Sequence, residues 1–258
     1  MSFLGEAGWA RFGADDRSLA WMRTARDAAD AAIADPSNAH WLRCEGTWYA
    51  GVNLLDTAPT GAIAGVDLAG PAIDALREAD LVPQAWDRAQ VSVTYPGYPR
   101  PMAGESPSAF RYRRDRDAAH VDGLLPVGAE RRRMVQEFHG FVLGLPLSEA
   151  DGDAAPFVVW EGSHRIMAQA FGRALNGISP DDWRDTDLTE TYHAARREVF
   201  ETCRRVAVHC RPGEAYLVHR LALHGVAPWK PGATAEPAGR MIAYFRPEID
   251  PVSWLCAD

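Results

Sequence analysis

The stretch Ala89-Gln-Val-Ser-Val-Thr-Tyr95 alternates strictly, with Val91, Val93 and Tyr95 on one side and Gln90, Ser92 and Thr94 on the other. Period two is the signature of a strand with one apolar face, and the following Tyr95-Pro-Gly-Tyr-Pro-Arg-Pro101 closes it as a turn. The polar face of this strand has two readings, interior or solvent, and the residues alone leave both open.

Outward from this strand, further candidates lie at Met134 to Leu145, Phe157 to Trp160, Ala215 to His219 and Arg240 to Arg246. Upstream, Leu19, Met22, Ala25, Ala29 and Ile33 recur at three or four residues, one stripe of a helix from Asp16 that Asp35-Pro36 ends. Thr47 to Leu55 reads as a half-buried strand, and Gly70-Pro71 opens a short helix through Arg77. Between Ile166 and Val206 the pattern is helical again, with Ser179-Pro180-Asp181-Asp182 as a capped start. Helices first, then many short strands with one helical insertion, predict a mainly β fold with helical decoration: a double-stranded β-helix, or jelly roll, of the cupin-like kind.

The reading is one domain over residues 1–258, with N-terminal helices and the first strand to residue 80 and a jelly-roll core from 81, the insertion falling at about 166–206. Apolar residues are 47% and charged residues 24%, ordinary globular usage with ample core material. A net charge of −8 argues against general affinity for nucleic acid or an anionic membrane. Cys44, Cys203, Cys210 and Cys256 show neither paired spacing nor zinc-ligand spacing, and read as reduced thiols of a cytoplasmic protein. No export signal or membrane-spanning stretch is expected, and the oligomeric state is not set by the sequence.

His120-Val121-Asp122 is the sharpest local feature, since residues i and i+2 of an extended segment point the same way and can present an imidazole and a carboxylate to one ion. Alone, the pair reads as an ordinary surface hydrogen bond. A second histidine far downstream, His224, followed by Arg240 changes the balance. Two imidazoles and one carboxylate on one face of iron(II) leave open positions for dioxygen and a chelating 2-oxo acid. An arginine on a neighbouring strand can grip the far carboxylate of 2-oxoglutarate. Among rivals, His219 and His209 compete with His224, and Arg246 competes with Arg240 from the same strand face. Arg240 is favoured as the anchor, with Arg246 kept as an alternative cosubstrate or substrate contact. His164, His40, His139 and His193 read as structural.

At these residues the chain resembles the phytanoyl-CoA dioxygenase family of the iron(II)/2-oxoglutarate oxygenases, over roughly Val91 to Pro247. Ala118 to Leu124 (AAHVDGL) matches its HxD segment, Phe141 to Arg165 its strand–turn–strand ending in Gly162-Ser163-His164, and Pro212 to Trp229 with the following GRMIAYFRPE its distal histidine and arginine-bearing strand. Asp153-Ala154-Ala155-Pro156 replaces the family's usual Asn-Gly-Pro turn, and Trp229 stands where asparagine is frequent. The resemblance implies a dioxygenase that hydroxylates a small molecule, with iron(II) on His120, Asp122 and His224, and with 2-oxoglutarate and dioxygen consumed to succinate and carbon dioxide. Asp122 also speaks against halogenation, because related halogenases lack that carboxylate. The rival reading, of another class, is a cupin-like isomerase or binding protein with a non-redox metal on the same barrel.

Overall fold

The computed structural model describes residues 4–255 of the chain. In chain order the elements are β1 (Trp9–Phe12), α1 (Asp16–Ala34), β2 (Leu42–Arg43), β3 (Trp48–Gly51), α2 (Pro71–Glu78), β4 (Gln90–Thr94) and α3 (Pro107–Asp115). Then come β5 (Leu124–Val127), β6 (Arg132–Val135), β7 (Phe141–Pro146), β8 (Glu149–Ala150), β9 (Phe157–Trp160), α4 (Ser163–Ala174) and α5 (Thr189–Thr202). The chain closes with β10 (Arg205–Val208), β11 (Ala215–His219), β12 (His224–Val226), β13 (Ala235–Glu236), β14 (Arg240–Phe245) and α6 (Pro251–Leu255).

Seven strands form one antiparallel sheet in the order β1-β11-β7-β14-β4-β3-β2, and three form a second in the order β10-β9-β12. The two face each other across a core that includes Val142, Phe157, Val159, Tyr216, Val218, Ile242 and Tyr244. This is the double-stranded β-helix, with a large sheet that does not close into a barrel. The outer face of the large sheet carries Val91, Val93, Leu143, Leu217 and Phe245, against which α1 and α2 bury Trp21, Met22, Ala25, Ile73 and Leu76. Helices α4 and α5 cover the outer face of the small sheet, where Val158 and Trp160 meet Met167, Phe171, Tyr192 and Val199. Helix cover on the outside is why β7 and β14 are buried on both faces, with no polar alternation to expose.

Several expectations need correction. The run Met134 to Leu145 is not one strand: it divides into β6 and β7 around Gln136–Gly140, where the Gln136 and Glu137 amides both donate to the Gly123 carbonyl and the chain passes between sheets. The helical insertion begins earlier, at Ser163, and ends at Thr202; Arg205–Val208 is a strand, because its backbone pairs with β9. The helix expected from Ser179 is a 3-10 segment, Pro180–Asp185, and the Ser179 side chain makes no capping bond. The strand over Thr47 to Leu55 stops at Gly51, and Asn53 takes a left-handed φ of 50° in the turn that follows. Elsewhere α1, α2, β4, β9, β11 and β14 fall where the periodicity puts them.

Cys44, Cys203 and Cys210 are free thiols, while Cys256 lies outside the described residues. Among the described residues no helix is long and apolar enough to cross a membrane.

Candidate metal centre

His120, Asp122 and His224 come together at one end of the space between the sheets, and one ligand atom from each lies within 4.8 Å of the others. His224 opens β12, whereas His120 belongs to no named strand; a single antiparallel bridge ties the two, with the His120 amide donating to the His224 carbonyl at 2.8 Å and the reverse bond at 3.0 Å. Three and two residues before His120, the backbone turns sharply: Asp117 and Ala118 both hold left-handed φ, 55° and 52°. Non-glycine residues in that region cost on the order of 1 kcal/mol or more each and need outside support. Arg205 supplies it by gripping the Asp117 carboxylate at 2.6 and 2.9 Å, and the Val226 amide donates to the Asp117 carbonyl. Gly225 makes this approach possible, since a Cβ there would lie 2.1 Å from the Asp117 carbonyl oxygen.

Both imidazoles are oriented alike. Nδ1 of His120 meets the Ala118 carbonyl and Nδ1 of His224 the Ala222 carbonyl, each at 2.9 Å. A carbonyl only accepts, so both Nδ1 atoms carry protons and both Nε2 atoms are left to face the carboxylate. These aim at Asp122, at 3.2 Å for His120 and 3.6 Å for His224. Phe157 stacks on the His224 ring at 5.3 Å and holds its plane. Burial of Asp122 favours the neutral acid, but Arg246, His224 and His120 outweigh it and hold the carboxyl well below the ordinary range. Two imidazole lone pairs and a carboxylate converging on one point repel each other unless a proton or cation sits among them, which suits a divalent metal.

The pocket above the triad encloses about 440 Å³ and is walled by Trp48, Gln90, Ser92, Phe157, Tyr244 and Arg246, among others. Gln90 and Ser92 therefore face the interior, which settles the two readings of the β4 polar face. Arg246, just past β14, places Nη1 3.6 Å from Asp122 and donates from Nη2 to Gln90 at 2.5 Å. Beneath it, His139 donates to the Arg246 carbonyl at 2.8 Å and to Glu137 at 2.9 Å. Both partners accept, so both ring nitrogens are donors; burial is the largest influence and opposes the charge, but the Glu137 bond and the nearby Asp122 and Glu137 charges together outweigh it, and the His139 pKa is raised.

Arg240 does not share this pocket. It lies at the other end of β14, is buried, and its guanidinium forms no ion pair or side-chain hydrogen bond among the described residues. It lines a separate small cavity with Ser148, His209, Cys210, Tyr216 and Ile242. The hydroxyls of Tyr216, from that cavity, and Tyr244, from the metal pocket, bond at 2.9 Å and stand between the two. Gly144 makes room for Tyr216, whose ring would lie 2.2 Å from an added Cβ. His219 is held away from the triad, accepting from the Leu221 amide with its ring 4.8 Å from His164; His209 bonds the Ala150 carbonyl. The roles of Trp48, Phe157, Glu137 and His139 escaped the sequence reading, and no periodicity or spacing signals them.

No family model matches the chain, and no curated protein matches it. Solved structures do. AviO1 from Streptomyces viridochromogenes Tue57 is 13% identical with a TM-score of 0.47, covering 95% of this chain and 91% of its own. The non-heme alpha-ketoglutarate-dependent carbocyclase SnoK from nogalamycin biosynthesis is 13% identical at 0.46, covering 95% and 81%. EctD from S. alaskensis, solved with 2-oxoglutarate and 5-hydroxyectoine, is 16% identical at 0.42, covering 94% and 73%.

Proposed function

We propose that the protein is a mononuclear iron(II) oxygenase that uses 2-oxoglutarate and dioxygen to oxidise a small molecule, most simply by hydroxylation, in the manner of the phytanoyl-CoA dioxygenase family it resembles. The observation that carries the reading is the convergence of two imidazole nitrogens and one carboxylate within 4.8 Å beside an open pocket. His120, Asp122 and His224 would hold the metal. Iron(II) bound there supplies the dioxygen and one-electron chemistry, with 2-oxoglutarate oxidised to succinate and carbon dioxide.

The chain's own groups do the rest by placement. The Ala118 and Ala222 carbonyls fix the tautomers, and Arg246 keeps Asp122 ionised and oriented. Arg240 is the anchor for the far carboxylate, because a buried guanidinium without an anion is costly and an incoming carboxylate relieves that cost. To reach it from the metal, the cosubstrate must part the Tyr216–Tyr244 hydroxyl bond, and those hydroxyls then become donors to it. Phe157, Trp48 and Val142 exclude water from the pocket floor.

Succinate release from purified protein given iron(II), ascorbate and 2-oxoglutarate tests the reading, with metabolite fractions supplied to find the substrate. Asp122→Ala should abolish both turnover and stoichiometric iron uptake. Full iron binding and turnover in that variant would remove the assignment.

A further inference from the structure

Next to the metal pocket lies a second recess of about 660 Å³, which meets it at His120, Leu124 and Arg133. Its cations are Arg113, Arg131, Arg133 and Arg196, and its one carboxylate is Glu105. Glu105 is already bound to Arg113, at 2.5 and 3.1 Å. No carboxylate pairs with Arg133 or Arg196 among the described residues. In a chain of net charge −8 this is a concentration of unneutralised positive charge at a site that already opens on the candidate centre.

The guanidiniums are also held in place. Arg196, from α5, lies 4.6 Å over the Tyr112 ring and 5.1 Å over the Tyr192 ring, so aromatic faces take the place of a counter-ion. Tyr112 is itself fixed by its hydroxyl, which donates to the Ala119 carbonyl at 2.7 Å, one residue from His120. Arg133, from β6, donates to the Leu124 carbonyl at 3.3 Å, and its own amide is held by the Thr189 hydroxyl at 2.8 Å. Burial, together with repulsion from Arg196 and Arg131, lowers the Arg133 pKa from its usual value. Two half-buried, pre-oriented guanidiniums with no carboxylate partner among the described residues match an oxyanion better than they match each other.

We infer that this recess is a substrate subsite for an anionic group, a carboxylate or a phosphate, gripped by Arg133 and Arg196 while the rest of the molecule extends past His120 into the metal pocket. The inference rests on the oxygenase reading only for the word substrate; the anion site stands on its own residues. It narrows the substrate class to small molecules bearing a negative charge at one end and an oxidisable carbon at the other.

Calorimetric titration of benzoate, benzamide and pyrophosphate into the full chain, with and without iron(II) and 2-oxoglutarate, tests it. At least one anion should bind saturably, with affinity falling as salt rises, and uncharged benzamide should not. Benzoate alone identifies a carboxylate site, and pyrophosphate alone a phosphate site. Arg133→Gln and Arg196→Gln should each weaken binding about tenfold, the size of one charged hydrogen-bonded contact, while Arg196→Lys keeps part of it. Binding of neither anion to the wild-type protein, equal binding of benzamide, or wild-type affinity in the Arg133→Gln/Arg196→Gln protein would overturn the proposal. Anion binding without iron uptake would instead sink the oxygenase reading and leave the anion site intact.

Discussion

Arg246 places its guanidinium 3.6 Å from the Asp122 carboxylate, and this pairing separates two arginines that share one strand face. Arg246 already has acceptors in Asp122 and Gln90, whereas Arg240 is buried without one among the described residues. Arg240→Gln should therefore weaken 2-oxoglutarate binding about 10- to 100-fold, the worth of a buried charge-assisted contact, with iron affinity retained. Arg246→Gln should lower iron affinity instead. Anaerobic calorimetry of both variants reads the two effects apart, and the reverse pattern would exchange the roles.

Metal should act as a stabilising ligand. Iron(II), or manganese(II) as a redox-inert substitute, at about 100 times its Kd should stabilise the wild-type fold by about 2.7 kcal/mol. His224→Ala should lose that increment, since it removes one of the three proposed ligands from the buried side of the triad. Thermal unfolding with and without metal measures it, and an unchanged increment in His224→Ala would count against the ligand set.

The Tyr216–Tyr244 hydroxyl bond is open to a double-mutant cycle. Tyr216→Phe or Tyr244→Phe alone strands a buried hydroxyl and should cost about 1–3 kcal/mol, whereas the double replacement should cost less than the sum. Chemical denaturation of the four proteins gives the coupling. Additive losses would show that the two hydroxyls do not depend on each other.

Acid should weaken the segment before α3 through Glu105. Its hydrogen bond to Arg113 holds this carboxyl below the ordinary value, with burial opposing. A depressed folded pKa contributes stability that is present above the unfolded value, about 4.3, and is lost as pH falls through the folded one. Glu105→Gln should cost about 3 kcal/mol at neutral pH, because Arg113 remains buried without its carboxylate, left with neutral partners such as the Arg100 carbonyl and the Cys44 sulfur. Its deficit against wild type should shrink below about pH 4.3, and a pH-independent deficit would contradict the linkage.

Local order was largely readable in the chain. Alternation in Gln90–Thr94 fixes a strand because successive side chains must point to opposite faces, and the stripe from Leu19 to Ile33 fixes a helix for the corresponding reason. Proline at residue 36 stops that helix, and proline at residue 71 starts another. The residue types of the candidate centre were equally visible, since chemistry restricts which side chains can offer a divalent metal two neutral nitrogens and a carboxylate.

Distance and pairing were not readable, because they depend on which strands meet. Arg240 and Arg246 have the same parity, and only their positions along β14 give one a buried cavity and the other the Asp122 carboxylate. His219 and His224 are both plausible ligands by type, and only the bridge to His120 brings the second into place. Arg133 is one of three consecutive arginines, and only the break between β6 and β7 and the placing of Arg196 by α5 bring it to the recess. Periodicity is a local property of the backbone, so the amino-acid sequence determined which faces are apolar and which residues carry chemistry. Convergence follows from long-range pairing and packing, so the tertiary structure alone decided which of those residues share a site.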